Sequence, residues 1–254
     1  MVVKRMLTAQ ELYDNLVYQD KILTLKGRIK FHLGDVSIVV RQRDVVGNIM
    51  QEWVQGWLDA HDIAYGPSEN TQMPPDFYLN PTDKEKNLLE IKAFYIKANP
   101  GFDIADFKMY SDELISKPYV LDTDYLIFGY DMSDDGTVTV KKLWLKKVWE
   151  ITRPMSNYPI NLQVKKGVVH KIRPGKWYGT SRKGSYPLFN NKSDFLSAIE
   201  QTVYQNPATH DDAGTWKKRF TENYIKYYGS SINIPRWDDI ADRYAKLKES
   251  KPQD

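Results

Sequence analysis

Two carboxylates and an ammonium group stand at spacings that predict a shared site. Asp76 and Glu90 are equidistant from Asp83, which lies in the polar stretch 80–87. Stretches rich in Asn, Pro and Asp form turns. If the flanking segments pair as strands about this turn, Asp76 lies opposite Glu90, with Cβ atoms about 5 Å apart. Like charges in opposed positions destabilise a sheet, so the arrangement indicates a bound divalent cation.

Lys92 completes this group. In a strand over residues 88–94, side chains alternate between the two faces, so Glu90 and Lys92 share one face while the apolar residues between them face a core. Mg²⁺ binds through few carboxylates and keeps several waters. Asp76 and Glu90 are therefore predicted as its ligands, with the backbone carbonyl of Ile91 as a third. Lys92 could orient an attacking water, lower the pKa of that water, or stabilise a phosphate during phosphodiester cleavage.

A structural ion pair at a sheet edge is the alternative interpretation of the same residues. The pattern of an acid, any residue and a lysine also begins at Asp106 and at Glu249, so the tripeptide itself carries little information. Only the pattern beginning at Glu90 lies in an apolar strand that follows a Pro-Asp segment. We therefore favour catalysis over the structural ion pair.

Composition limits the class of protein. The 254 residues, 41% of them hydrophobic and 27% charged, predict one large globular domain, or one domain with a lobe, and an ample core. The absence of Cys excludes disulfides and thiolate chemistry. No apolar run approaches membrane-spanning length, and the first residues lack the core of a signal peptide. We expect a cytoplasmic protein without a membrane partner.

Charge is distributed unevenly along the chain. The formal net charge is only +3, yet residues 151–193 contain no Asp or Glu in a chain that has 33 of them. The basic residues of this stretch are Arg153, Lys165, Lys166, Lys171, Arg173, Lys176, Arg182, Lys183 and Lys192. An acid-free basic stretch is typical of a surface that meets a polyphosphate backbone.

Periodicity predicts both helices and strands. Apolar residues recur at three- and four-residue spacing over residues 45–61 and predict one broad apolar stripe on a helix. Its members are Ile49, Met50, Trp53, Val54, Trp57 and Leu58. Residues 125–130 form a continuous apolar strand, and residues 161–172 form a hairpin about Lys166-Gly167. The chain is therefore predicted to contain both helices and strands.

Pro75-Asp76 together with Glu90-Ile91-Lys92 resembles the motif of the PD-(D/E)xK nucleases. The resemblance implies Mg²⁺-dependent hydrolysis of DNA by the residues already named. It also implies an α/β fold of the restriction-endonuclease-like kind, in which helices flank a central mixed β-sheet.

Further stretches resemble the type II restriction endonucleases of the EcoRV-like branch. Gly27-Arg28-Ile29 with Leu33-Gly34 is similar to the N-terminal dimerisation ribbon of that branch. The resemblance implies a homodimer on double-stranded DNA. It divides a single domain into an N-terminal dimerisation element at about residues 1–44, a catalytic core at 45–150 and a DNA-recognition lobe at 151–254.

The resemblance also implies auxiliary and DNA-binding residues. Related folds carry a Glu four residues after a helical Gly; here Gln51 stands at that distance from Gly47, and Glu52 follows it. The loop over residues 174–185 resembles a major-groove reader, and a loop before Asp76 resembles a minor-groove contact. The DNA-binding candidates are Asn70, Thr71, Gln72, Lys176, Trp177, Tyr178, Thr180, Ser181, Arg182 and Lys183.

Together these features predict a type II restriction endonuclease that cleaves both strands of a specific DNA site. Two alternatives remain open at this point. One is a structure-specific repair or recombination nuclease of the same fold, and the other is a non-catalytic DNA-binding protein.

Overall fold

The computed structural model describes residues 4–68, 73–179 and 185–247. Its strands are β1 (Lys26–Arg28), β2 (Lys30–Leu33), β3 (Val36–Val39), β4 (Gly66–Pro67), β5 (Phe77–Tyr78), β6 (Leu88–Tyr95), β7 (Ala105–Asp106), β8 (Asp124–Met132), β9 (Thr137–Lys147), β10 (Leu162–Lys165) and β11 (Val168–Ile172). Its α-helices are α1 (Ala9–Asp14), α2 (Val46–Ala60), α3 (Phe107–Ser116), α4 (Lys192–Gln205), α5 (Ala213–Tyr228) and α6 (Trp237–Ile240). Short 3₁₀ or π turns join several of these elements.

The chain forms two compact units. The first consists of Met1–Phe102 and Asp122–Lys146, and the second of Asp103–Leu121 and Lys147–Asp254. Each unit is assembled from two separated stretches of sequence. A change in composition at a single linker therefore could not mark the boundary between them.

The first unit is built on a six-stranded sheet with the order β1-β9-β8-β6-β5-β4. β6 and β8 are parallel, whereas β5 is antiparallel to both β4 and β6. The sheet is therefore mixed, and with its helices it confirms the predicted α/β class. Buried residues of α1 and α2 join Phe77, Leu89, Ile91, Leu126 and Phe128 in one hydrophobic core on one face of this sheet.

α2 lies within the predicted helix, but its apolar stripe is narrower than the sequence predicted. Met50, Val54 and the two apolar residues that follow in the stripe are buried, whereas Ile49 and Trp53 are 39% and 38% exposed. The helix packs on the core through one side, and Ile49 and Trp53 lie beyond that side. They line a cavity of about 210 Å³ together with Leu25 and other residues of the first unit.

β2 and β3 form a separate hairpin with an exposed apolar face. Phe31 is paired with Ile38, and Leu33 with Val36. Paired residues and residues two apart share a face, so these four side chains lie together. They are between 52% and 73% exposed.

The second unit contains a small sheet in which β11 pairs with both β10 and β7 in antiparallel fashion. The hairpin of β10 and β11 confirms the prediction for residues 161–172. α3 and α5 pack together, and the buried Trp216 indole of α5 donates a hydrogen bond of 2.9 Å to the carbonyl of Ser111 in α3. The buried Asp194 carboxylate of α4 accepts a hydrogen bond of 2.5 Å from the Tyr244 hydroxyl, which ties the C-terminal segment to α4.

Candidate active site

The hairpin of β5 and β6 brings the two predicted carboxylates together. Phe77 pairs with Leu89 and Tyr78 with Leu88, and the same register places Asp76 opposite Glu90. The intervening turn is closed by a hydrogen bond of 2.9 Å from the Leu79 N–H to the Asn87 carbonyl. The predicted register, centred on Asp83, is therefore confirmed.

Asp76 is held in place on both sides of its strand. Its Oδ2 accepts a hydrogen bond of 2.7 Å from the Ile91 N–H in β6. Its backbone carbonyl accepts one of 3.0 Å from the Ser68 N–H, which follows β4. Burial raises the pKa of Asp76 above its usual range, and the Lys92 ammonium and the Ile91 N–H oppose that shift. The carboxylate is thus fixed beside the backbone of the central strand.

Glu90 and Lys92 form a close, largely buried ion pair. Lys92 Nζ lies 2.6 Å from Glu90 Oε1, and the two side chains are 21% and 5% exposed. Burial is the main cause that raises the pKa of Glu90 to about 7, and the Asp76 carboxylate acts in the same direction. The Lys92 ammonium and the Asp76 N–H, which also donates to the Leu89 carbonyl, act in the opposite direction. The buried Glu90 Oε2 has no hydrogen-bond partner among the described residues.

The arrangement holds more than a two-residue ion pair. Lys92 influences both acidic side chains, Asp76 and Glu90, and burial opposes the ionised form of each acid. Buried polar atoms are almost always hydrogen-bonded, whereas Glu90 Oε2 has no such partner among the described residues. Mg²⁺ prefers hard oxygen donors such as carboxylates. The donor set is therefore suited to this ion.

Gln51 and Glu52, the two auxiliary candidates, are not bonded to the two carboxylates in the described part of the chain. Both belong to α2, where Gln51 is half-buried and Glu52 is exposed. Among the hydrogen bonds and ion pairs of the described residues, none joins either of them to Asp76 or Glu90. The part of the chain that the structure describes also contains no cluster of three or more His, Cys, Asp or Glu that could hold a metal. A metal here would rest on two carboxylates and backbone or water ligands.

The model of the NgoBV restriction endonuclease family matches residues 6–244 of this chain. The chain belongs to this family. It is 62% identical over 240 residues to the type II restriction enzyme NlaIV of Neisseria lactamica, which covers 94% of this chain and 98% of that protein. It is 53% identical over 175 residues to the type II restriction enzyme NgoBV of Neisseria gonorrhoeae, which covers 69% of this chain and 98% of that protein.

The structure of this family member agrees with a solved one. It matches the NlaIV restriction endonuclease with a TM-score of 0.92 and 62% identity, covering 95% of this chain and 98% of the other. The prediction of a type II restriction endonuclease is confirmed, and the enzyme is a site-specific deoxyribonuclease. The two alternatives, a repair or recombination nuclease and a non-catalytic DNA-binding protein, are set aside. No helix in the described residues is long and apolar enough to cross a membrane.

The loop that was predicted to read DNA in this endonuclease is described only in part. Lys176 is exposed, and its Nζ lies 5.3 Å from the ring centroid of the half-buried Tyr178. Trp177 is only 8% exposed and packs edge-on against Tyr178, with centroids 5.5 Å apart. Its ring therefore serves local packing in this conformation. The remaining candidates lie outside the described residues: Asn70, Thr71, Gln72, Thr180, Ser181, Arg182 and Lys183.

The basic stretch of residues 151–193 contains no acidic residue, yet two of its basic side chains lie next to carboxylates from another part of the chain. Arg173 is hydrogen-bonded to Asp103, and Lys171 Nζ lies 3.9 Å from Asp106. Both carboxylates precede α3, far away along the chain. Lys165 and Lys166, at the tip of the β10–β11 hairpin, are exposed.

One feature near the carboxylates was not predicted from the sequence. The Nζ of Lys84, in the turn between β5 and β6, lies 5.5 Å from the ring centroid of Tyr78. The signal available in the sequence was the alternation along β5, which places Tyr78 on the same face as Asp76.

Proposed function

We propose that this restriction endonuclease is a PD-(D/E)xK enzyme that hydrolyses double-stranded DNA with Mg²⁺ held by Asp76 and Glu90. The observation that carries the proposal is the buried Oε2 of Glu90, which lies opposite Asp76 and has no hydrogen-bond partner among the described residues, next to the ammonium of Lys92. Mg²⁺ at these oxygens would supply positive charge to the scissile phosphate and make water a better nucleophile.

The protein residues have separable tasks in this mechanism. Asp76 and Glu90 supply the ligand oxygens, and the Ile91 peptide lies beside them because its N–H donates to Asp76; its carbonyl is the proposed third ligand. Lys92 is held by Glu90 at 2.6 Å. From there its ammonium orients the attacking water and stabilises the charge that develops on the phosphate. Attack is in line and proceeds without a covalent enzyme intermediate.

The assignment to the PD-(D/E)xK fold and its EcoRV-like branch is supported by the order of elements around the site. An antiparallel hairpin carries Asp76 and Glu90, and its second strand, β6, continues into a parallel pairing with β8. Gln51 and Glu52 stay candidates for an auxiliary role, for which they would have to approach Asp76 and Glu90 when DNA binds. Lys176 and Tyr178 stay DNA-contact candidates, with Trp177 as a packing support for them.

We also propose that the enzyme acts as a homodimer through its N-terminal region. The proposal is supported by the apolar face of the β2–β3 hairpin, where Phe31, Leu33, Val36 and Ile38 are more than half exposed. Contiguous exposed apolar side chains mark interaction sites, and an isolated two-stranded hairpin is marginally stable. A second copy of the chain would cover this face and supply the second active site that double-strand cleavage needs.

Replacing Leu33 by Asp should convert a dimer into a monomer, because the carboxylate would be buried at the interface without a partner. The measurement is molar mass by light scattering at micromolar concentration. His32→Asp places the same charge on the opposite face of β2 and is the matched control, which should stay dimeric. A monomeric wild-type protein, or equal behaviour of the two variants, would contradict the proposal.

Digestion of a phage genome tests the proposed activity. With Mg²⁺ the enzyme should give discrete fragments, and excess EDTA should stop cleavage completely until Mg²⁺ is restored. Sequencing the fragment ends would identify the recognition site and the form of the ends. Cleavage that continues unchanged in EDTA would refute the metal mechanism, and a smear without bands would refute site-specific cutting.

A further inference from the structure

Arg153, in the second unit, is a half-buried cation without an acidic partner among the described residues. Its Nη1 donates a hydrogen bond of 2.8 Å to the carbonyl of Pro154, and its Cζ lies 5.7 Å from the ring centroid of Tyr186. In the part of the chain that the structure describes, its side chain makes no other hydrogen bond and no ion pair. Residues 151–193 contain no Asp or Glu, so its neighbours in sequence cannot supply a carboxylate.

The position is unfavourable for a charge that has no counter-charge. An arginine side chain stays protonated in proteins, and a buried charge is costly unless it is paired. Burial lowers the pKa of Arg153 below its usual range, and Tyr186 opposes that shift. An apolar residue of similar length would avoid this cost. Features that cost stability in this way are expected at functional sites.

The Arg153 side chain is held across the backbone at Gly175. A Cβ at residue 175 would lie 2.9 Å from Cγ and Cδ of Arg153, so a larger residue there would displace the arginine side chain. The Gly175 N–H donates to the Ile151 carbonyl at 2.7 Å, and the Asn161 N–H donates to the Arg153 carbonyl at 2.7 Å. The arginine is thus fixed beside residues 174–179, where the predicted DNA-reading loop begins.

We propose that Arg153 recognises a guanine of the DNA site by donating two hydrogen bonds to its O6 and N7 atoms. The enzyme is a site-specific deoxyribonuclease, so some of its side chains read base edges. The bidentate contact between arginine and guanine is the commonest specific contact of this kind. Of the five N–H donors of a guanidinium, Pro154 takes one. Arg153 is therefore a specificity-determining residue, and its role does not depend on the metal site proposed above.

A guanine edge suits Arg153 better than a phosphate does. Exposed lysines of the same unit, Lys165, Lys166 and Lys176, can meet the DNA backbone as mobile point charges. The Arg153 guanidinium is instead oriented by Pro154 and Tyr186. A planar donor pair of fixed direction matches two acceptors that lie side by side, and base pairs other than G·C do not present that acceptor pair on one base.

Two substitutions and one control separate the parts of this proposal. Arg153→Met removes the charge and the donors and keeps the length of the side chain, whereas Arg153→Lys keeps the charge without the planar pair of donors. Arg236→Met is the control. Arg236 Nη2 lies 3.5 Å from Asp238 Oδ2, and their side chains are 76% and 74% exposed, so this variant loses a guanidinium that has an acidic partner.

Cleavage of duplexes that contain 7-deazaguanine tests the contact. The analogue removes the N7 acceptor and is placed at one guanine of the mapped recognition site at a time. At one guanine, kcat/KM of the wild-type enzyme should fall by about tenfold, the loss expected for one hydrogen bond to a charged donor. Arg153→Met and Arg153→Lys should be slower by at least that factor on unmodified DNA and should lose little more at this guanine. Arg236→Met should match the wild-type enzyme on every duplex.

Several results would overturn the proposal. One is a recognition site without guanine, and another is a wild-type enzyme that tolerates the analogue at every guanine. A third is a full additional loss by both Arg153 variants at each guanine. A contact to phosphate would instead make the slope of log K against log salt shallower by about 0.9 for Arg153→Met, with no guanine singled out.

Thermal denaturation distinguishes recognition from a structural role of Arg153. Because no described carboxylate balances its charge, Arg153→Met should melt at or above the temperature of the wild-type protein. A variant that melts at a clearly lower temperature while its response to 7-deazaguanine stays like that of the wild type would show that the side chain supports the fold, and the proposal would fall.

Discussion

Replacing Asp76 by alanine should lower the rate of DNA cleavage by about two to four orders of magnitude, the range expected when a metal ligand or a charge-stabilising group is lost. Glu90→Ala and Lys92→Ala should have effects of the same order, because all three side chains belong to the proposed catalytic site. Single-turnover cleavage of a plasmid that carries the recognition site is the measurement. Wild-type rates in all three variants would contradict the site assignment.

DNA binding distinguishes loss of chemistry from loss of structure in these variants. Asp76→Ala removes a negative charge that repels phosphate, so binding to the specific duplex without metal should persist or strengthen. Asp112→Ala, at an exposed position of α3 that is paired with Lys108, changes the same residue type away from the site and should cleave normally. A variant that loses binding as well as cleavage would indicate that the fold, and not the chemistry, had changed.

Replacing Glu90 by glutamine should abolish cleavage and at the same time stabilise the metal-free protein at pH 8. Burial raises the pKa of Glu90 to about 7 from the ordinary value of 4.5. The folded state therefore holds this proton more tightly than the unfolded state, and stability falls as the pH rises from about 4.5 to 7. The amide of glutamine is uncharged, so the variant does not lose stability as the pH rises through this range. The free energy of unfolding should rise by about 1–3 kcal/mol. Loss of the ion pair between Lys92 and residue 90 would reduce this gain.

Chemical denaturation in EDTA at pH 8 and pH 5 measures this effect. The gain should be present at pH 8 and should largely vanish at pH 5, where the folded wild-type protein already carries the proton on Glu90. Glu222→Gln in α5, an exposed position, is the control and should change stability little at either pH. A Glu90→Gln variant that is less stable than the wild type at pH 8 would show that the ion pair with Lys92 outweighs the burial of the charge.

Local patterns in the sequence were sufficient for the hairpin that carries the site. The turn at residues 80–87 and the alternation along the following strand fix the register that opposes Asp76 to Glu90. Thr8 and Glu11 likewise form a capping box at the start of α1, with reciprocal hydrogen bonds of 2.7 and 3.2 Å. In both cases the interacting residues are close in sequence, so the geometry follows from local backbone preferences.

Packing decided the features that the local patterns missed. Periodicity placed Ile49 and Trp53 in the buried stripe of α2, but only the neighbouring elements determine how wide a stripe is covered, and both residues are about two-fifths exposed. Lys171 and Arg173 belong to an acid-free stretch of sequence, yet they meet Asp106 and Asp103. Such pairings depend on which distant segments the fold brings together.

The sequence by itself determined that two acids and a lysine share one face of a hairpin, because neighbours along the chain obey the two-residue period of a strand. Only the tertiary structure decided that Glu90 is buried with one oxygen that has no hydrogen-bond partner in the described part of the chain, since β8 and the rest of the sheet remove water from that strand. It also decided that Lys84 lies over Tyr78. Burial and side-chain placement are set by segments distant in sequence, and no local pattern encodes them.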